Sequence, residues 1–198
     1  MIQPRSKNVA AIRLRVSLAE IEPPIWRSVL VRANITLHEL HRTIQMLFQW
    51  YDYHLYRFEI GEREFEAPDE EAEGEDSTKA RLDRLGLCAG DTFEYTYDFG
   101  DDWRHLVEVE ALERVSEQAW LPWVLDGARR GPPEDCGGPY RYSEVQWLPR
   151  QPFDELDEDD QEMVEWLGEE FNPEEFSLAQ ARHDLMLAGA WGILKRKR

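Results

Sequence analysis

The segment TFEYTYDFGDDWRHLVEVEAL, residues 92–112, decides the fold class. From Thr92 to Phe99, aromatic and β-branched residues alternate with polar ones, which suits a pleated strand with one buried face. Gly100, Asp101 and Asp102 supply what a tight reversal needs, namely tolerance of positive φ and side chains that bond their own backbone. Trp103 to Leu112 resumes the alternation, so the segment predicts an antiparallel hairpin. At a repeat of two, Tyr95, Tyr97 and Phe99 share a face. That face reads first as packed sheet surface and second as a platform for stacking a ligand ring.

Toward the N-terminus, AIRLRVSL (11–18) alternates apolar and basic residues, and IWRSVLV (25–31) follows Pro23-Pro24. Together they predict a second hairpin. Thr36 and Glu39 have capping-box spacing, and Leu37, Leu40, Ile44 and Leu47 form a helical stripe that runs out near Trp50. HLYRFEI (54–60) predicts a further strand ending at Gly61. Residues 62–79 are mostly polar and predict an acidic surface loop. Leu82 to Leu87 predicts one short turn, in which Cys88 would pack as a small apolar residue. From Pro122 to Pro152 the Pro and Gly content predicts loop. Two helices should follow, one over 154–168 burying Met163, Trp166 and Leu167, and one starting near Asn172 or Ser177. The order β-β-α-β-β-β then helices predicts an α+β protein. It would be a single mixed sheet with helices packed on one face, a β-grasp-like or α/β-roll core, and C-terminal helices. One domain over 9–183 is expected, with 184–198 as helix end and basic tail.

The chain has 198 residues, 42% of them hydrophobic, and eight Trp, a composition that folds. No apolar run approaches the ~20 residues that span a bilayer, and the polar N-terminus lacks a secretory core, so a cytoplasmic location is expected. Cys88 and Cys136 are far apart and form no CxxC pair, which leaves a structural zinc site without its closed ligand set. The formal charge of −18 opposes general binding to nucleic acid, which rests on phosphate neutralisation. Nine acids fall in 62–76 and twelve in 154–175, whereas residues 1–61 carry eight bases and five acids. The negative charge therefore belongs to peripheral segments. A surface that mimics nucleic acid toward a basic partner is a further reading of that acidity, behind plain solubility.

Several further segments stand in register. They are Pro23-Pro24-Ile25-Trp26-Arg27; His41, Ile44, Gln45 and Trp50; and His54, Leu55 and Phe58. They continue with Tyr97-Asp98-Phe99-Gly100-Asp101, Trp103 and His105, and end with Pro132-Pro133-Glu134-Asp135 and Gly137-Gly138. Together they resemble the plasmid pRiA4b ORF-3-like family, from about residue 10 to about residue 180. The resemblance implies an α+β fold and a bacterial, plasmid- or transposon-associated setting, and implies no particular activity. Family members often carry Cys before the Pro-Pro pair where this chain has Gly131. Cys136 therefore has no thiol partner in that loop, which counts against a redox or thiolate-metal role.

The residues with site chemistry are His41, Gln45, His54, Asp98, Asp101, Trp103, His105, Glu134 and Asp135. His38, His41 and Gln45 form a polar stripe on the helix, and Asp98 and Asp101 flank the hairpin turn. Imidazole plus carboxylate suits a divalent ion such as Zn, Mn or Fe, and His54, Asp98, Asp101 and His105 are the expected ligands if a metal binds. The same residue types also serve as turn, cap and satisfied core groups. No Walker, GxSxG or GxGxxG signature occurs, so no organic cofactor is implied. The leading expectation is a non-enzymatic binding or accessory module of mobile-element context, taking a protein or small-molecule ligand and no membrane. It would use helix 36–49, the 97–105 hairpin and the 132–138 loop. The alternative is a metal-dependent hydrolase or nuclease built on the His/Asp/Glu cluster.

Overall fold

Strand pairing sets Phe65, Phe58, Tyr95, His105 and Leu18 in one row across five adjacent strands, and all five are buried. The next row holds Tyr56, Tyr97 and Trp103, also buried. Between these rows the intervening positions, such as Arg57, Thr96 and Arg104, pair with one another on the opposite face. Alternation in the sequence thus becomes two faces of one sheet, apolar on one side and charged on the other.

The structure, a computed structural model, describes residues 7–69, 72–168 and 171–190. The expected basic tail, residues 195–198, lies outside the described residues. The strands are β1 (Asn8–Leu18), β2 (Trp26–Arg32), β3 (Tyr56–Ile60), β4 (Arg63–Glu66), β5 (Glu75–Asp76), β6 (Thr92–Tyr97), β7 (Trp103–Ser116) and β8 (Trp123–Ala128). They form one sheet in the order β5-β4-β3-β6-β7-β1-β2-β8. Every pairing is antiparallel except β4–β5, so the sheet is mixed. The helices are α1 (Leu37–Phe48), α2 (Gly138–Val145), α3 (Glu158–Leu167) and α4 (Leu178–Ala190). The α+β class read from the sequence is the class found.

Helix α1 opens as its capping box requires. Thr36 Oγ1 accepts from the Glu39 N–H, and Glu39 Oε2 accepts from the Thr36 N–H at 2.8 Å. Leu37, Leu40, Ile44 and Leu47 are buried against the sheet, worth on the order of 2 kcal/mol each. At the other end, Gln49 turns left-handed and a buried arginine completes the cap. Arg27 sits on the apolar face between Val16 and Gly127 in the pairing register. Its Nε donates to the Leu47 carbonyl at 3.1 Å. Nη1 donates to Trp26 and Ala128, and Nη2 to Arg129. Burial lowers its pKa to about 10, so it stays charged at neutral pH. One guanidinium thereby ties β2, the end of α1 and the exit of β8 together.

Several expectations are corrected here. Residues 122–152, read as loop, contain β8 and α2. At Gly127, a Cβ would stand 2.9 Å from Arg27 Cδ and 2.6 Å from Phe176 Cζ. The glycine is a close-approach residue inside a strand. The 62–79 segment, read as surface loop, carries β4 and β5, because Phe65 is buried opposite Phe58 and anchors an otherwise charged strand. Helix α3 buries none of its side chains fully, and Trp166 is half-exposed. Cys88 is exposed rather than packed, because its backbone N–H is tied to Asp91 Oδ2 in the turn. Phe99, the last residue of the aromatic face, lies beyond the end of β6 and is also half-exposed.

Arg27→Leu is expected to destabilise the fold by about 3 kcal/mol, because four carbonyl oxygens lose a buried charged donor. Urea unfolding measures it; a loss below about 1 kcal/mol would show that those carbonyls find other partners.

Candidate functional site

His41 and Gln45 of the polar stripe of α1 are buried, and they hold a loop rather than a ligand. Gln45 Oε1 accepts from the Asp52 N–H at 3.1 Å, which leaves its amide nitrogen to donate to the Tyr95 hydroxyl at 3.1 Å. Tyr95 must then donate its own proton to His41 Nδ1 at 2.7 Å, and His41 Nε2–H donates to Asp52 at 2.7 Å. The imidazole is therefore neutral, and burial lowers its pKa despite the opposing pull of Asp52. It stacks on Tyr56 at 3.6 Å between ring centroids. The network fixes Asp52 at φ 62°, a conformation that Asp tolerates better than most residues. Loop 51–55 consequently leaves α1 in a set direction and delivers His54 to the end of the sheet.

A second loop docks on the first. Trp50 Nε1 donates to the Pro132 carbonyl at 2.9 Å. Gly131 lies so near α1 that a Cβ would come within 2.3 Å of the Phe48 oxygen. Glu134 then accepts from the Tyr51 N–H at 2.8 Å and from the Tyr97 hydroxyl. Tyr97 in turn accepts from the backbone N–H of Tyr53 at 3.1 Å. Burial and the adjacent Glu134 carboxylate raise the Tyr97 pKa, so the phenol keeps its proton and donates it. The hairpin turn closes the assembly, with Asp101 Oδ2 accepting from the Gly137 N–H at 3.1 Å.

These three loops bring together His54, Asp98 and Asp135. His54 Nε2 lies 2.9 Å from Asp135 Oδ1 and 3.6 Å from Asp98 Oδ2, and one ligand atom from each residue falls within 4.8 Å of the others. Asp98 (φ 56°) and Asp135 (φ 59°) both hold left-handed backbone conformations. Glu134 and Asp101 lie beside the cluster with their carboxylates occupied as described. Tyr51, Tyr53, Leu55, Phe99 and Tyr140 stand exposed on the same three segments, with Tyr51 and Tyr53 stacked at 5.7 Å.

Of the nine candidate residues, His41, Gln45 and Trp103 are buried behind this surface. His105, expected among the metal ligands, is not in the cluster. Strand parity puts it on the apolar face with Tyr95 and Trp103. Its Nδ1–H faces the Trp103 and Tyr95 carbonyls at 3.0 and 3.2 Å, and its ring meets Phe48 and Trp50 edge-on. Burial drives its pKa down to about 3. Asp101, also an expected ligand, turns its carboxylate to Gly137, and Asp135 stands beside His54 instead. The sequence reasoning missed Asp52, Tyr97 and the exposed tyrosines as parts of one assembly. Their signal was the run Trp50-Tyr51-Asp52-Tyr53-His54, aromatic residues gathered where a helix has ended and no strand has begun.

The fold and this loop end define an α+β protein with one open sheet and a polar, aromatic-rimmed surface at the ends of its central strands. The chain belongs to the plasmid pRiA4b ORF-3-like protein family, whose pattern matches residues 10–180. It is 35% identical over 164 residues to the uncharacterized protein y4hQ of Sinorhizobium fredii, covering 80% of this chain and 81% of that one. It is also similar to the crystal structure of MM3350, a protein of unknown function from Methanosarcina mazei Go1. That match has TM-score 0.78 and 31% identity, and covers 86% of this chain and 97% of the other. Among the described residues, no helix is long and apolar enough to cross a membrane.

Two buried neutral histidines predict acid sensitivity. Above the ordinary histidine pKa of 6.5, both states are unprotonated at His105 and its full contribution is present. As pH falls, the unfolded chain takes a proton that the native state refuses, and stability is lost progressively toward pH 3. The lowered pKa of His41 acts in the same direction. The unfolding free energy from urea curves is expected to fall between pH 6.5 and 4.5 by about 1 kcal/mol per pH unit through His105, with His41 adding in the same direction. His105→Leu should flatten the slope; an unchanged slope in that variant would refute the assignment.

Proposed function

We propose that the protein is a non-enzymatic binding module, acting as an accessory in a mobile-element setting, that takes its ligand on the loop end built by residues 51–55, 98–102 and 131–140. One observation carries the reading. Among the described residues, five of the ten exposed large hydrophobic side chains (Tyr51, Tyr53, Leu55, Phe99 and Tyr140) belong to these three segments. Clustered apolar groups around a polar centre are what a recognition surface needs and what a merely solvated loop avoids. The ligand that fits is a small molecule, or a short protein segment, with a planar or apolar part beside a polar group. Rigid tyrosines contribute contact area at little entropic loss. The mobile-element setting is supported by the family's plasmid origin alone.

A second reading, a metal-dependent hydrolase or nuclease, draws on the His54, Asp98 and Asp135 cluster. It ranks behind binding because Asp135 is 65% exposed at its side chain, and hydrolytic chemistry gains from excluding water.

A thermal-shift screen across nucleotides, amino acids, sugars and aromatic acids tests the proposal. Stabilising ligands are expected to bind at least tenfold more weakly to a Tyr51→Ala/Tyr53→Ala double variant, whose changes are at exposed positions and spare the fold. A different surface exists for comparison, a cleft of ≈ 610 Å³ between the end of α1 and α4, lined by Arg27, Leu47, Arg130, Phe171, Phe176 and Gln180. Hits that ignore the double variant and respond to Gln180→Ala would move the binding function there. Hydrolysis of bis(p-nitrophenyl) phosphate abolished by Asp98→Asn would favour the second reading.

A further inference from the structure

We infer that His54 Nε2, Asp98 Oδ2 and Asp135 Oδ1 form a binding site for a divalent cation of the Zn2+ or Mn2+ type. The inference rests on the reading of the loop end as the recognition surface and supplies its polar centre.

Geometry comes first. Around a first-row ion with bonds of about 2.1 Å, neighbouring ligand atoms stand about 3.0–3.5 Å apart in octahedral or tetrahedral arrangements. The distances from His54 Nε2, 2.9 Å to Asp135 Oδ1 and 3.6 Å to Asp98 Oδ2, bracket that range. All three atoms lie within 4.8 Å of one another, so small side-chain adjustments bring them onto one face of an ion. They come from three different loops, each fixed by the bonds already described. The site is therefore assembled by the fold.

A second observation concerns Asp98 alone. The residue is only 8% exposed. Its Oδ1 accepts from the N–H groups of Gly100 at 2.9 Å and Asp101 at 3.3 Å, which fixes the carboxylate plane. The other oxygen, Oδ2, accepts no hydrogen bond from any described residue, and its polar neighbour is His54 Nε2 beyond hydrogen-bond range. With Oδ1 committed to the turn, Oδ2 is the oxygen left to take a ligand beside His54 Nε2. A cation between the three groups satisfies it and neutralises two like charges held close together.

The donor set indicates the ion. One imidazole and two carboxylates suit Zn2+ or Mn2+, whereas Ca2+ and Mg2+ prefer oxygen donors throughout. Glu134 and Asp101 are committed to Tyr51, Tyr97 and Gly137 and are left outside the ligand set. The remaining coordination positions face solvent past the exposed Asp135 and the rim of Tyr51, Tyr53 and Phe99. An ion there offers an anionic or carbonyl group a contact that this acidic surface otherwise denies it.

Titration calorimetry on the full chain, purified without a histidine tag, stripped with chelator and kept reduced at pH 7.5, tests the inference. Zn2+ and Mn2+ are expected to bind at one equivalent, with Mg2+ and Ca2+ at least tenfold weaker. Asp98→Asn and Asp135→Asn are the diagnostic variants. Asparagine tolerates the left-handed conformation both positions require, and its amide keeps one oxygen for the turn at position 98. Each should weaken Zn2+ binding at least tenfold, while Asp102→Asn, in the same turn but outside the cluster, should leave it unchanged. Unfolding curves of the metal-free variants confirm that they fold. Absence of a stoichiometric site in the unaltered chain overturns the inference, and so does Zn2+ binding that ignores both variants. Should no ion bind while ligand capture still depends on Tyr51 and Tyr53, the ion falls and the recognition surface stands. Should the ion bind while every screened ligand ignores Tyr51→Ala/Tyr53→Ala, the surface reading falls alone.

Discussion

Among the described residues, helices cover one face of the eight-stranded sheet, and that asymmetry governs where every strand residue is useful. A side chain on the covered face must be apolar or fully satisfied; one on the other face meets water. The row from Phe65 to Leu18 obeys this by being apolar apart from Tyr95 and His105, whose polar atoms are largely turned to Gln45, His41 and backbone carbonyls. The open face carries cross-strand charge pairs such as Arg57 with Glu66. With both faces of the sheet assigned in this way, ligand chemistry is left to the ends of the strands, where loops emerge.

The buried polar groups serve the same division. His41, Gln45 and Tyr95 form a chain of donors and acceptors in which each proton has one place to go, ending on Asp52. Arg27 does comparable work at the other side of α1 with four backbone carbonyls. Such networks rigidify when every member is satisfied. Their effect is transmitted outward: a fixed Asp52 sets the path of loop 51–55, which sets Tyr51, Tyr53 and His54. The charge distribution follows the same pattern. Much of the −18 lies in 62–76 and 154–175, whereas the loop end combines its carboxylates with a histidine and exposed aromatic rings.

Much of the architecture was legible in the sequence because it depends on local periodicity. The hairpin of residues 92–112, the capping box at Thr36 and the stripe from Leu37 to Leu47 each follow from a repeat of two or of 3.6 and from local caps. The α+β class follows from their order. β8 and α2 were not legible, because Gly127 and the Pro-Gly content of 131–139 signal irregular chain, while the reason for Gly127 is the Arg27 and Phe176 side chains pressed against it. Phe65 gave too little signal to show that β4 was a strand.

What the sequence by itself determined, then, is the class of fold, the sidedness of the long strands and a roster of polar residues with site chemistry. Only the tertiary structure decided which of those residues meet. His105 and Asp98 are close along the chain, yet parity turns one into the apolar core and the left-handed turn sets the other beside His54. His54 and Asp135 are far apart along the chain, yet Trp50, Gly131 and Tyr97 hold their loops side by side. Local pattern fixes the direction of a side chain; the meeting of loops depends on long-range contacts that no spacing records.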